Sequence, residues 1–111
     1  PEAIICHNDL TAIGIMAALR DFGLRVPDDV AVVGLDNIET APFLNPRLTT
    51  AGVDANLLAN ALFSLVIGRI NGDRSGEGQR VELPFEIFFR ESCGCANNKK
   101  QEEALYAEAQ I

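Results

Sequence analysis

Apolar residues fall along this chain in short dense runs and longer periodic ones, and two of the dense runs end abruptly in polar side chains. Ile4-Ile5-Cys6 leads into His7-Asn8-Asp9, and Val30-Ala31-Val32-Val33-Gly34-Leu35 leads into Asp36. Both runs read as β-strands. Between them, Leu10 to Phe22 has helical spacing: at about 100° per residue Ala12, Ile15, Met16, Leu19 and Phe22 share one apolar face. Asp9 is placed to N-cap this helix, and Gly23 to end it in a left-handed conformation. Leu10, Ile13 and Ala17 lie on nearly the opposite side, a second apolar surface suited to another helix or another subunit. Val26-Pro27-Asp28-Asp29 turns the chain into the second strand. The unit is β-α-β, which makes its two strands parallel and its crossover right-handed. Asn8 and Asp36 then sit at the carboxyl ends of parallel strands, the edge where open α/β sheets bind ligands. Adjacent strands lie about 4.8 Å apart, so one small molecule would reach both.

After Asp36 an irregular stretch with Pro42, Asn45 and Pro46 precedes a short strand at Leu48-Thr49-Thr50. Asp54 caps a second helix that ends near Ile70, with Asn71-Gly72 as its stop. Its apolar arc (Leu58, Ala61, Leu62, Leu65 and Val66, with Phe63 and Ile67 beyond) is wide enough to predict cover on more than one side. Asp73 to Gln79 reads as a polar loop. Val81 to Leu83 and Phe85 to Phe89 read as strand, broken by Pro84, which favours a sheet edge. The sum is an α/β fold, a three-layer, partly parallel sheet with flanking helices.

Charge narrows the partners. Nine Lys and Arg against sixteen Asp and Glu give a net charge of −7, whereas gripping nucleic acid takes a basic stripe and an anionic membrane surface attracts basic segments. No apolar run approaches the roughly 20 residues of a membrane helix, so no membrane partner is expected. The 111 residues suit one domain, and 48 % hydrophobic with 23 % charged residues is ordinary globular composition. No signal peptide is evident, and the chain opens on Pro1 rather than Met, so a piece of a longer polypeptide is expected. Three cysteines, an odd number with Cys6 in a buried strand, suit reduced thiols in a cytoplasmic protein.

The order of these pieces carries a resemblance. Pro1-Glu2-Ala3-Ile4-Ile5-Cys6-His7-Asn8-Asp9, Gly23-Leu24-Arg25-Val26-Pro27-Asp28-Asp29-Val30, Val33-Gly34-Leu35-Asp36, Leu48-Thr49-Thr50 and Arg90-Glu91-Ser92-Cys93 together resemble the lactose/galactose-repressor family, over residues 1 to 93. The resemblance implies the periplasmic-binding-protein type I fold, here part of the C-terminal lobe of an effector-binding module (1–93) followed by a tail (94–111) expected to be helical. It implies a small-molecule effector, often a sugar or nucleobase, and closure of two lobes passed to an output domain. It implies effector contacts at Asn8 and Asp36 and sometimes at Val53, where an apolar residue replaces the polar one sometimes found. It also implies a homodimer surface near Ile13, Phe43 and Leu44, with which the second apolar face of the first helix, Leu10, Ile13 and Ala17, is consistent. No helix-turn-helix segment is present, so DNA would be met only through a domain absent from this chain.

Read as chemistry, Asp36 supplies acceptor oxygens and Asn8 both donors and acceptors, which suits a neutral polyhydroxy ligand. With no basic side chain and no glycine-rich phosphate loop expected nearby, a phosphorylated ligand is disfavoured. The alternative is that both residues only cap the adjacent turn or helix. His7, the only histidine, has no serine nucleophile or metal-ligand companions at useful spacing and reads as a packed or pocket-rim residue. No acid/base constellation appears, so a non-enzyme without cofactor or metal is expected. Cys93-Gly94-Cys95 invites a redox or zinc reading, though redox pairs are more often Cys-x-x-Cys and structural zinc takes about four ligands. Lys99 and Glu103 could pair on a tail helix. That tail is either a frayed terminus or a signalling helix. Two functions therefore stand: the sugar-binding sensor of a transcriptional regulator, or the same sensor feeding a kinase or cyclic-nucleotide-synthesising domain beyond the tail.

Overall fold

The computed structural model describes residues 1–72 and 78–95. In chain order they form β1 (Ala3–Ile5), α1 (Asp9–Asp21), β2 (Ala31–Leu35), a short 3-10 turn (Ala41–Phe43), β3 (Thr49–Gly52), α2 (Ala55–Ile70) and β4 (Glu86–Phe88). The sheet runs β1-β2-β3-β4. β1, β2 and β3 are parallel, with Ile5 opposite Val33 and Val33 opposite Thr49, and β4 returns antiparallel to β3. This is the mixed α/β sheet expected from the β-α-β pattern.

The core lies where α1 covers the sheet. Cys6, Ala12, Met16, Val32, Ala41 and Leu48 are buried together, with Ile4, Ile15, Leu19 and Val26 packed around them. Val32 and Leu48 are completely buried, and each such side chain contributes about 1.5–3 kcal/mol. Burial pushes the Cys6 thiol above its ordinary value, and the Asp9 carboxylate adds to the shift. Gly23 has the left-handed φ of 75° expected after α1. Two details of α1 differ from expectation. Asn8, extended at φ −157°, is the N-cap, accepting from the Thr11 N–H at 2.8 Å, while Asp9 is already helical and turns its carboxylate inward. Phe22 lies past the last helical residue, as the C-cap, and is 84 % exposed.

The far end of the chain clips the sheet together. The Ser92 hydroxyl donates to the Val32 carbonyl at 2.6 Å and accepts from the Thr49 N–H at 2.8 Å, so one buried side chain bridges β2 and β3. Its carbonyl accepts from the Val32 N–H at 2.9 Å.

α2 begins and ends as expected. Asp54 caps it by accepting from the Leu57 N–H at 2.8 Å, and Gly72 follows it with φ 76°. Yet no residue of α2 is buried. The cover expected over its wide apolar arc is not supplied by the described residues. Val81 to Leu83 also departs from expectation, since only Glu86–Phe88 forms strand. β3 ends at Gly52 opposite Glu86, so the residues before Glu86 have no strand to pair with. The expected helical tail, the Lys99–Glu103 pair and most of the expected polar loop lie outside the described residues.

Candidate functional site

Parallel register brings the three strand ends to one edge. Asn8 and Asp36 each lie three positions beyond the opposed pair Ile5 and Val33, and Val53 follows the last residue of β3. The Cys6 N–H donates to the Val33 carbonyl at 2.8 Å and the Asp36 N–H to the Ala51 carbonyl at 2.7 Å, extending the ladders to that edge.

Asn8 is half-buried. Its Oδ1 caps α1, and its Nδ2 lies 3.1 Å from His7 Nε2. An amide NH2 can only donate, so Nε2 accepts here, while Nδ1 of the same ring lies 3.3 Å from Thr11 Oγ1. One donor and one acceptor site of the Asn8 amide remain for a ligand. Capping and ligand contact are thus compatible in this residue, and His7 orients the amide.

Asp36 is exposed and has φ 109°, and Asn37 follows with φ 54°. Two successive non-glycine residues with positive φ are costly unless their surroundings hold them. Here they are held from three sides. The Asn37 N–H donates to Thr50 Oγ1 at 3.2 Å, and the Thr50 hydroxyl donates to Asp9 Oδ1 at 2.6 Å. Asp9 Oδ2 accepts from the Ile38 N–H at 2.9 Å. Arg90 Nη2 donates to Asn37 Oδ1 at 2.9 Å while Nη1 donates to the Leu48 carbonyl at 2.7 Å. The guanidinium also lies 5.7 Å from the Phe88 ring centroid, near enough for a cation–π contact. Burial holds Arg90 below its ordinary value, opposed by the nearby Asp9 charge.

Glycines make room for this arrangement. A Cβ at Gly34 would collide with Asp9 Oδ1, and one at Gly52 would stand 2.8 Å from the Asp36 carbonyl oxygen. Asp9, Thr50 and Arg90 are the residues that sequence reasoning missed as builders of the site. The only sequence signal for them was their place in the quoted family segments.

Val53 is half-buried and offers an apolar contact at the end of the edge. The other predicted surface lies elsewhere. Ile13 and Ala17 of α1 line, with Phe43 and Leu44 at the end of the 3-10 turn, a groove of about 660 Å³ shared with Arg20 and Leu24. Phe43 is 85 % exposed. Leu10 is also exposed but does not line that groove. Among the described residues no cluster of three or more His, Cys, Asp or Glu could hold a metal ion, and no helix is long and apolar enough to cross a membrane.

Comparison with known proteins places this geometry. Residues 1–93 match the family model of the periplasmic binding protein-like domain. The HTH-type transcriptional repressor PurR of Vibrio campbellii is 39 % identical over 90 residues, 81 % of this chain and 27 % of that protein. A LacI-type transcription regulator of Bifidobacterium animalis subsp. lactis superposes with a TM-score of 0.78 at 40 % identity, covering 83 % of this chain and 32 % of the other. A LacI family regulator of Arthrobacter sp. FB24, solved in complex with lactose, gives a TM-score of 0.77 at 35 % identity, covering 83 % and 34 %. The chain spans about a quarter of the length of the curated relatives it matches. It belongs to the periplasmic binding protein-like domain family, in the lactose/galactose-repressor branch.

Proposed function

We propose that this chain is part of the effector-binding module of a cytoplasmic transcriptional regulator and that its effector is a neutral, sugar-like molecule. The observation that carries the reading is the convergence of Asn8 and Asp36 at the ends of adjacent parallel strands, with Asp36 exposed and its loop pinned by Asp9, Thr50 and Arg90. Asp36 accepts ligand hydroxyls, Asn8 both gives and accepts, and Val53 packs on an apolar ring face. Ligand held at this edge favours the state in which a facing lobe closes over it, and that population shift changes DNA binding by another domain of the parent protein. The lactose complex of the Arthrobacter relative supports a sugar. A second copy of the parent meets the groove bounded by Ile13, Ala17, Phe43 and Leu44, with Leu10 at its margin.

The test is calorimetric titration of the regulator carrying this chain with neutral mono- and disaccharides, lactose included. Asp36→Asn keeps the shape and removes the charge. Hydrogen bonds to charged groups are worth about 1.5–3 kcal/mol, so about 10- to 100-fold weaker binding is expected. Binding unchanged in both Asp36→Asn and Asp36→Ala, or no binding of any neutral sugar by the parent, would overturn the reading.

A further inference from the structure

Cys93-Gly94-Cys95 lies outside the strand-end site, on the turn that follows the Ser92 clip. The turn is held by the Gly94 N–H donating to the Glu91 carbonyl at 3.0 Å, with Gly94 at φ 74°. A left-handed residue at its centre folds the two cysteines toward each other. Residues flanking a single glycine stand at most about 7 Å apart even when extended, and a disulfide needs Cα atoms about 4.4–6.8 Å apart. Each sulfur faces the other residue. The Cys95 N–H donates to Cys93 Sγ at 3.2 Å, and the Cys95 thiol donates to the Cys93 carbonyl at 3.7 Å. Cys93 is half-buried and also donates to the Arg90 carbonyl at 3.6 Å, while Cys95 is exposed. Cys6, the remaining thiol, is buried in the core.

We propose that Cys93 and Cys95 form a dithiol site that reacts with low-molecular-weight disulfides of the glutathione class and closes to an intramolecular disulfide. The exposed Cys95 thiolate attacks one sulfur of glutathione disulfide, breaking its S–S bond and releasing one glutathione thiolate, which takes up the proton lost by Cys95. The Cys93 thiolate then attacks Cys95 Sγ in the mixed disulfide. The Cys93–Cys95 bond forms, and the second glutathione leaves with the Cys93 proton. The two cysteines lose two electrons and the glutathione disulfide gains them. Because the second step is intramolecular, its effective thiol concentration is of millimolar order or higher, so Cys93 outruns free thiols at lower concentration. The position of the pair matters for the fold. Ser92 holds β2 to β3 immediately before it, so the ring would close where the chain leaves the sheet.

The test exposes the full chain to submillimolar glutathione disulfide at mildly alkaline pH, with mass spectrometry and nonreducing peptide mapping. The unsubstituted chain should lose the mass of two hydrogen atoms, carry a Cys93–Cys95 link and hold little glutathione. Cys93→Ser should instead accumulate the mixed disulfide on Cys95, about tenfold more than the unsubstituted chain. Cys6→Ser should behave like the unsubstituted chain. Equal mixed disulfide in the unsubstituted chain and Cys93→Ser, or cross-links only between chains, would overturn the proposal. These readouts are local to the turn and require neither folding of the sheet nor an effector.

Discussion

The two helices of this molecule are written in similar letters and live in different surroundings. α1 carries Ala12, Ile15, Met16 and Leu19 on one face and spends that face on the sheet, where Ala12 and Met16 become buried. α2 is longer and richer in large apolar residues, with Leu57, Leu58, Leu62, Phe63, Val66, Ile67 and Ile70 all exposed. Both are capped at the start by an Asn or Asp side chain and closed by a left-handed glycine. Periodicity and capping therefore specify a helix without specifying what it meets. Contact with β2 decides the matter for α1, and nothing among the described residues does so for α2.

Substitutions can widen or erase that contrast. Leu48→Ala empties a fully buried position beneath α1 and should cost about 2–5 kcal/mol in a urea titration. Asp9→Ala strips the acceptor from the Thr50 hydroxyl and the Ile38 N–H, with an expected loss of about 1–3 kcal/mol. On the other side of the comparison, Leu62→Ser or Phe63→Ser in α2 should change the stability of this chain by no more than about 0.5 kcal/mol. A cost there comparable to Leu48→Ala would mean that α2 is packed after all and that the contrast is false.

The smallest effect is a matter of pH. Glu91 accepts from the Arg47 N–H at 2.8 Å and pairs with its guanidinium at 3.0 Å. These contacts hold its carboxyl below the ordinary value of 4.5, the backbone hydrogen bond first. Between the ordinary and the lowered value the unfolded chain binds more protons than the folded one, so stability falls as pH falls through that window. Glu91→Gln should flatten this slope and leave stability near neutrality almost unchanged, since the pair lies at the surface. An unaltered slope would assign the acid sensitivity to other carboxylates.

What the sequence made readable follows the same division. The β-α-β unit is legible because two apolar runs, a helical period and a turn lie within 36 residues and each depends on near neighbours. Parallel pairing then sends Asn8 and Asp36 to one edge without further information. The assignment of the cap failed because Asn8 and Asp9 are equally able to cap. Only the buried environment created by Thr50 and Gly34 pulls Asp9 inward, and those residues come 25 or more positions later. Arg90 was invisible as a builder of the edge for a similar reason, since its partners Asn37 and Leu48 are 53 and 42 positions away. Val81 to Leu83 has strand composition, but no partner strand extends far enough to use it.

The proposed sensing role requires the ends of β1, β2 and β3 to form one ligand-facing edge. Amide hydrogen exchange, measured on the regulator carrying this chain with and without a saturating sugar, addresses it directly. Exchange should slow together at residues 8–11, 36–38 and 52–54 when the sugar binds. Protection confined to the groove between α1 and the 3-10 turn, with those three segments unaffected, would contradict it.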